Sequence, residues 1–119
     1  MKPTPLLLAL PLIAACATGS GLSGTWNFTA QCTADSPTGA GTVTAVAHLR
    51  ETTPNEFTGT YRNDLGQTGQ ITAKQDGPRI FGLIDWDNGG RTRATLTRAD
   101  TAEIYTNPDV EGCSVTATR

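Results

Sequence analysis

Apolar and polar residues alternate along most of the chain beyond position 23. The first such segment places Trp26, Phe28, Ala30 and Cys32 on one face, with polar residues between them. This period of two is typical of a strand that buries one face, and no window shows a convincing helical period of about 3.6 residues. The pattern therefore predicts an all-β protein.

Seven further segments repeat the alternation, and turn residues separate them. Asp76-Gly77 and Asn88-Gly89 suit tight hairpins in which glycine supplies a positive φ, and Thr53-Pro54-Asn55-Glu56 suits a type I turn. The predicted inward-facing residues are Val43, Ala45, Ala47 and Leu49; Phe57, Gly59 and Tyr61; Ile71 and Ala73; Ile80, Gly82, Ile84 and Trp86; Ala94 and Leu96; Ala102 and Ile104; and Cys113, Val115 and Ala117.

Twisted strands in an open sheet leave two unpaired edges unless the first strand pairs with the last. We therefore predict an eight-stranded antiparallel up-and-down barrel over residues 24–119. A β-sandwich is the alternative fold. In the barrel, the end of the first strand lies beside the start of the last, which are the places of Cys32 and Cys113.

The N-terminus predicts export from the cell. Leu6 to Ala15 is an apolar run after Lys2 that is too short to span a membrane as a helix. It ends in Leu12-Ile13-Ala14-Ala15-Cys16, which resembles the lipobox of bacterial lipoproteins. The resemblance implies that residues 1–15 are a signal peptide, that Cys16 carries lipid, and that residues 16–23 tether the domain to a membrane. Ala17, rather than Asp, follows the cysteine, which by the sorting rule of enterobacterial lipoproteins implies the periplasmic face of the outer membrane.

An ordinary signal peptidase site within Ala15-Cys16-Ala17 is the alternative, and would leave a soluble periplasmic protein. The cysteine count bears on this choice, because three cysteines in an exported chain leave one unpaired. Acylation of Cys16 removes the odd one. We therefore predict a disulfide between Cys32 and Cys113 that closes the barrel seam, with both residues on the inner face.

Composition excludes several classes of function. Nine basic and 11 acidic residues give a net charge of −2, which offers no basic surface for nucleic acid. His48 is the only histidine and lies on the outer face of its strand, so we expect neither a Ser-His-Asp triad nor a histidine metal site. We expect no enzymatic activity, no metal and no cofactor.

Short segments resemble barrels of the avidin and lipocalin type. Gly24-Thr25-Trp26 is similar to the G-x-W start of both families, and Phe57-Thr58-Gly59-Thr60-Tyr61 and Phe81-Gly82 followed by Trp86 are similar to the third and fifth avidin strands. The resemblance implies ligand contacts at Tyr61 and Trp86. The seventh-strand tryptophan of avidins has no counterpart, because the chain holds two tryptophans, Trp26 and Trp86. The resemblance thus implies the barrel plan and not a biotin site.

The expected function is non-catalytic binding of a small molecule in the barrel mouth. Many inward-facing positions are Ala or Gly, which leaves room for a ligand, although a filled core is the alternative. Strand direction places Tyr61 and Trp86 at the loop-bearing rim and Trp26 at the tethered end. The competing function is a protease or lysozyme inhibitor, or an envelope-assembly protein, that meets a periplasmic protein partner through its loops, 33–40, 63–67, 87–90 and 107–112.

Overall fold

The computed structural model describes residues 21–99 and 103–119, so Cys16 and the predicted signal peptide lie outside the described residues. Within them the chain forms a closed barrel in which the strands follow one another in chain order. This confirms the predicted barrel and not the sandwich. No helix in these two ranges is long and apolar enough to cross a membrane. The eight strands are β1 (Gly24–Cys32), β2 (Gly41–Thr53), β3 (Glu56–Asn63), β4 (Thr68–Asp76), β5 (Arg79–Trp86), β6 (Arg91–Arg98), β7 (Ile104–Val110) and β8 (Cys113–Thr118).

The connections divide the barrel into two ends. The end that carries connections 33–40, 64–67, 87–90 and 111–112 is called the open end, and the other end is called the closed end. The last of these connections is shorter than predicted, because Glu111 and Gly112 both adopt a positive φ, 53° and 86°, and make a tight hairpin. Asn55 also has a positive φ of 68°. The predicted type I turn is therefore wrong, since that φ after Pro54 fits a type II turn.

A disulfide joins the first strand to the last. Cys32 and Cys113 are directly opposite each other in the β1–β8 ladder, and their sulfur atoms are bonded. The predicted seam disulfide is confirmed. In the chain-entropy model, a closed loop of this length is worth roughly 4.5 kcal/mol of stability.

The seam between β6 and β7 is much shorter. Where the structure describes both strands, they pair only at Thr97↔Thr106 and Arg98↔Tyr105. Pro108 has no N–H to extend this ladder, and the β7–β8 register shifts between Asn107 and Val110. The Asn107 side chain instead donates to the Thr95 carbonyl oxygen at 2.6 Å. The wall of the barrel is therefore least tightly closed toward the open end of β6.

The predicted inner face of the seventh strand is wrong. Ile104 is 37% exposed and Tyr105 is 3% exposed, so the strand points Tyr105 inward, and Ala102 lies outside the described residues. The Tyr105 ring packs edge-on against Trp26, with their centroids 5.6 Å apart. Burial of this larger aromatic surface fixes the direction of the strand.

The hydrophobic core fills the closed end. Leu22 and Trp26 are almost fully buried, and the Trp26 indole donates to the Leu22 carbonyl oxygen at 2.8 Å. Arg119 lies over the Trp26 ring at 4.6 Å and donates to the carbonyl oxygens of Gly21 and Ser23. The segment before β1 is thereby held across this end and seals it. Other buried core residues are Leu49, Phe57, Ile80, Leu96 and Ala117.

Candidate functional site

The half of the barrel toward the open end is hollow. A cavity of about 390 Å³ lies inside it, with the buried core at the closed end as its floor. This volume is in the range of small-molecule sites. Inward-facing residues in the half toward the open end are only partly buried, although their strands point them into the barrel; these are Phe28, Ala30, Val43, Tyr61, Ile84, Trp86 and Val115.

Small residues line this space, and two further inward-facing glycines are required by close strand contacts. A Cβ at Gly59 would overlap the His48 carbonyl oxygen, and a Cβ at Gly69 would lie 2.6 Å from the Asp85 carbonyl oxygen. Gly82 is different, because its Cβ would meet only the Ala94 carbonyl oxygen, at 3.6 Å. Gly82 thus leaves cavity volume empty where a larger side chain has room.

An aromatic group that we call the ring trio, Phe28, Tyr61 and Trp86, lines the mouth. The Tyr61 ring centroid lies 5.6 Å from that of Phe28 and 5.4 Å from that of Trp86, at angles of 59° and 84°. Gly69 pairs with Tyr61 on one side and Trp86 on the other. Because Gly69 has no side chain, the two rings meet above it.

Hydrogen bonding differs between the two ring-trio residues that carry a polar atom. The Trp86 indole N–H donates to Thr92 Oγ1 at 2.9 Å, which holds that ring in place. No residue in the described ranges forms a hydrogen bond with the Tyr61 hydroxyl. Burial raises the pKa of Tyr61 to about 12, and the Asp64 carboxylate contributes to the rise. The phenol therefore stays protonated at neutral pH and can donate a hydrogen bond to a ligand.

Asn63 lies at the rim, and its side-chain oxygen has no free capacity to accept a hydrogen bond from a ligand. Its Oδ1 accepts from the backbone N–H groups of Leu65 and Gln67, both at 3.0 Å, and its Nδ2 donates to Gln67 Oε1 at 2.8 Å. Because these hydrogen bonds satisfy its polar atoms, the Asn63 side chain can be buried. It fixes connection 64–67 beside the mouth.

Connection 33–40 is held against the disulfide. Ser36 is 7% exposed, and its hydroxyl lies 3.4 Å from the Cys113 sulfur and 3.0 Å from the Thr38 hydroxyl. The backbone N–H of Thr33 donates to the Gly112 carbonyl oxygen at 3.0 Å. The seam disulfide therefore supports one wall of the mouth as well as the barrel closure.

The structure brings together the two residues that the sequence predicts as ligand contacts. Tyr61 and Trp86 are in ring contact at the open end, and Trp26 lies at the closed end. Phe28, Asn63 and Thr92 complete the mouth and were not predicted as site residues. The alternation marks Phe28 as inward-facing, but its contact with Tyr61 depends on the strand register across β2.

His48 and Asp85 lie outside the cavity. His48 is exposed on the outer face, where its Nδ1 lies 3.0 Å from the Thr25 hydroxyl. Asp85 forms an exposed ion pair with Arg91 at 2.7 Å. Within residues 21–99 and 103–119, no group of three or more His, Cys, Asp or Glu side chains is arranged to hold a metal ion.

The fold and site define a closed eight-stranded antiparallel barrel with one seam disulfide and a cavity open at one end. Comparisons with protein-family models, with curated proteins and with solved structures find no match to this chain.

Proposed function

We propose that this protein binds a small ligand, without catalysis, in the open mouth of its barrel. The observation that carries the proposal is the cavity of about 390 Å³, which reaches both Tyr61 and Trp86. A barrel that acts only through its loops has no need of a hollow interior, because small barrels are normally filled by side chains. The open cavity thus favours a ligand binder over an inhibitor or an assembly protein.

The mouth is also preorganised, which lowers the entropy cost of binding. Trp86 is held by Thr92, connection 64–67 by Asn63, and connection 33–40 by the disulfide. The resemblance of the third and fifth strands to avidins supports the same two contact residues. The Tyr61 hydroxyl adds a hydrogen-bond donor that a ligand oxygen or nitrogen can use.

The protein further fits a lipid-anchored place at the periplasmic face of the outer membrane. Gly21 and Ser23 are held by Arg119 at the closed end, so the chain approaches β1 from the side opposite the mouth. A tether from Cys16 would then leave the mouth facing the periplasm. The lipobox resemblance and the odd cysteine support this arrangement.

The anchor is tested by Cys16→Ser. We expect this variant to fractionate as a soluble protein, because it lacks the thiol that receives the lipid, while the wild type stays with membranes. Intact mass analysis of the mature wild type gives the control. A water-soluble chain that begins at Thr18 would contradict the anchor and leave the binding proposal standing.

Native mass spectrometry of protein isolated from its own cell envelope tests the binding. We expect a ligand mass on the wild type, and its loss in Tyr61→Ala and Trp86→Ala. Phe81→Ala is the matched control, because Phe81 is an aromatic residue that is 43% exposed on the outer face of β5. A wild type without bound mass, or a bound mass that survives both mouth variants, would contradict the proposal.

A further inference from the structure

The charge of the cavity selects among ligand classes. Among the described residues that line it, only Arg91 and Glu111 are charged. The Arg91 guanidinium is paired with Asp85 at 2.7 Å. An anionic ligand in this cavity would therefore lose its hydration without gaining an unpaired cationic partner, which is costly.

The rim adds negative charge around the mouth. Each connection of the open end, or the strand end beside it, brings at least one carboxylate, and none of these forms an ion pair within the described residues. Arg62 and Arg91 also lie at this end, so the rim carries an excess of negative charge, which attracts cations and repels anions. The carboxylates are those of Asp35, Asp64, Asp87, Asp109 and Glu111.

The ring trio supplies the complementary surface inside. Aromatic faces carry negative electrostatic potential and attract organic cations, most strongly where water is excluded. The ring planes of Phe28 and Trp86 stand at 59° and 84° to that of Tyr61, so the trio presents differently oriented surfaces to one region of the cavity. This arrangement suits a compact cationic group better than a flat neutral one.

We infer that the mouth selects a compact organic cation, such as a quaternary ammonium group attached to an apolar body. This inference rests on the proposed binding function and specifies its ligand class. The cationic group lies against the ring trio below the acidic rim, and the apolar body extends toward the apolar floor formed by Ile71, Ile80 and Leu96.

Three probes of one size and shape test the charge preference. Phenyltrimethylammonium, tert-butylbenzene and benzenesulfonate each carry a tetrahedral group on a phenyl ring, and they are cationic, neutral and anionic. In calorimetric titration of the disulfide-bonded domain, we expect the cation to bind roughly 2- to 30-fold more tightly than the neutral probe. The sulfonate should bind most weakly. Neutral or anionic probes that bind as tightly as the cation would overturn the ligand class.

Variants separate the contributions of the aromatic rings and of the rim carboxylates to the preference for a cation. Trp86→Leu keeps apolar volume but removes a ring, so the ratio of cation to neutral affinity should fall toward one at all salt concentrations. Asp64→Asn with Asp87→Asn should lower the ratio mainly at low salt, because exposed charges are screened within roughly 10 Å at 0.1 M. Phe81→Leu, on the outer face, is the matched control and should leave the ratio unchanged.

The outcomes distinguish this inference from the function on which it rests. If the neutral probe binds in the mouth without cation preference, the ligand class is wrong and the binding function stands. If none of the three probes binds up to its solubility limit, both are wrong.

Discussion

Individual residues at the two ends of the barrel differ in how deeply they are buried. Trp26 and Trp86 both point inward, but Trp26 is 2% exposed in the core and Trp86 is partly exposed in the mouth. Replacing them should therefore affect different properties: stability at the closed end and binding at the open end.

Trp26→Ala should lower the free energy of unfolding by about 3–5 kcal/mol, because it removes a large buried side chain and leaves a cavity. It also removes the hydrogen bond to Leu22 and the contacts with Tyr105 and Arg119. Urea denaturation measures this loss. Phe81→Ala, at an exposed position, should change stability far less, and an equal loss in both variants would contradict the assignment of Trp26 to the core.

Tyr61 makes stability depend on alkaline pH. Burial and Asp64 raise its pKa from 10.0 to about 12, so the unfolded chain releases this proton at lower pH than the folded protein does. Its contribution to the free energy of unfolding is complete below pH 10 and declines as the pH rises toward 12.

Ultraviolet titration of the wild type minus that of Tyr61→Phe isolates the phenolate of this residue. The difference should rise near pH 12, and Tyr61→Phe should make the alkaline decline of stability shallower. A difference curve centred near pH 10 would mean that the Tyr61 hydroxyl is open to water.

Gly82 offers a way to fill the cavity without touching the ring trio. Gly82→Val places its Cβ in ordinary contact with the Ala94 carbonyl oxygen and directs its methyl groups inward. We expect stability to stay equal or rise, because valine suits a strand better than glycine, and ligand affinity to fall. Gly59→Ala is the contrast, since its Cβ would overlap the His48 carbonyl oxygen and should destabilise the barrel. Unchanged affinity in Gly82→Val would contradict a ligand that uses the interior.

At the scale of strands, the two seams of the barrel should open unequally. The β1–β8 ladder is continuous from Asn27↔Thr118 to Cys32↔Cys113 and is clasped by the disulfide, whereas β6 and β7 share two described pairs. Amides of 91–95 that point toward β7 should therefore exchange hydrogen faster than those of the β1–β8 ladder. Residue-resolved hydrogen exchange measures this, and equal protection at both seams would contradict it.

Asn107 partly compensates for the missing backbone pairs at the β6–β7 seam. Its side-chain donation to Thr95 at 2.6 Å acts beside Pro108, which cannot donate. Asn107→Ala should accelerate exchange in β6 further and leave the β1–β8 ladder unchanged. If exchange in β6 does not respond, the hydrogen bond does not close the seam.

Strand-level patterns explain where the sequence was informative. Alternation located the inward faces of β1 to β6 and β8, although Val46 in β2 and Phe81 and Leu83 in β5 are apolar residues at outward positions. Strand direction alone placed Tyr61 and Trp86 on one rim. Ile104 and Tyr105 are both apolar and adjacent, so alternation cannot choose between them. The choice comes from the contact of Tyr105 with Trp26, which is distant in sequence.

At the scale of the whole molecule, the barrel is a cup with a sealed floor and a hollow, acidic mouth. The sequence predicted the barrel, its seam disulfide and two mouth residues, because these follow from period, turn chemistry and cysteine count. The contacts within the ring trio depend on the strand register across β2, and on Gly69 of β4, which lies between Tyr61 and Trp86 and has no side chain. The empty volume depends on the summed volume of all inward side chains, which cannot be predicted from the pattern of any one strand.

Fluorine NMR with fluorotryptophan tests the central claim that ligands enter this cup through the mouth. The chain has two tryptophans, one at the floor and one in the mouth, so each end gives its own signal, assigned by Trp26→Phe and Trp86→Phe. During titration with phenyltrimethylammonium and with tert-butylbenzene, we predict that the Trp86 signal shifts to saturation with at least one probe, and that it shifts more than the signal of Trp26 at the cavity floor. If neither probe moves Trp86, or if Trp26 shifts in its stead, the account of the barrel as a ligand-binding cup is contradicted.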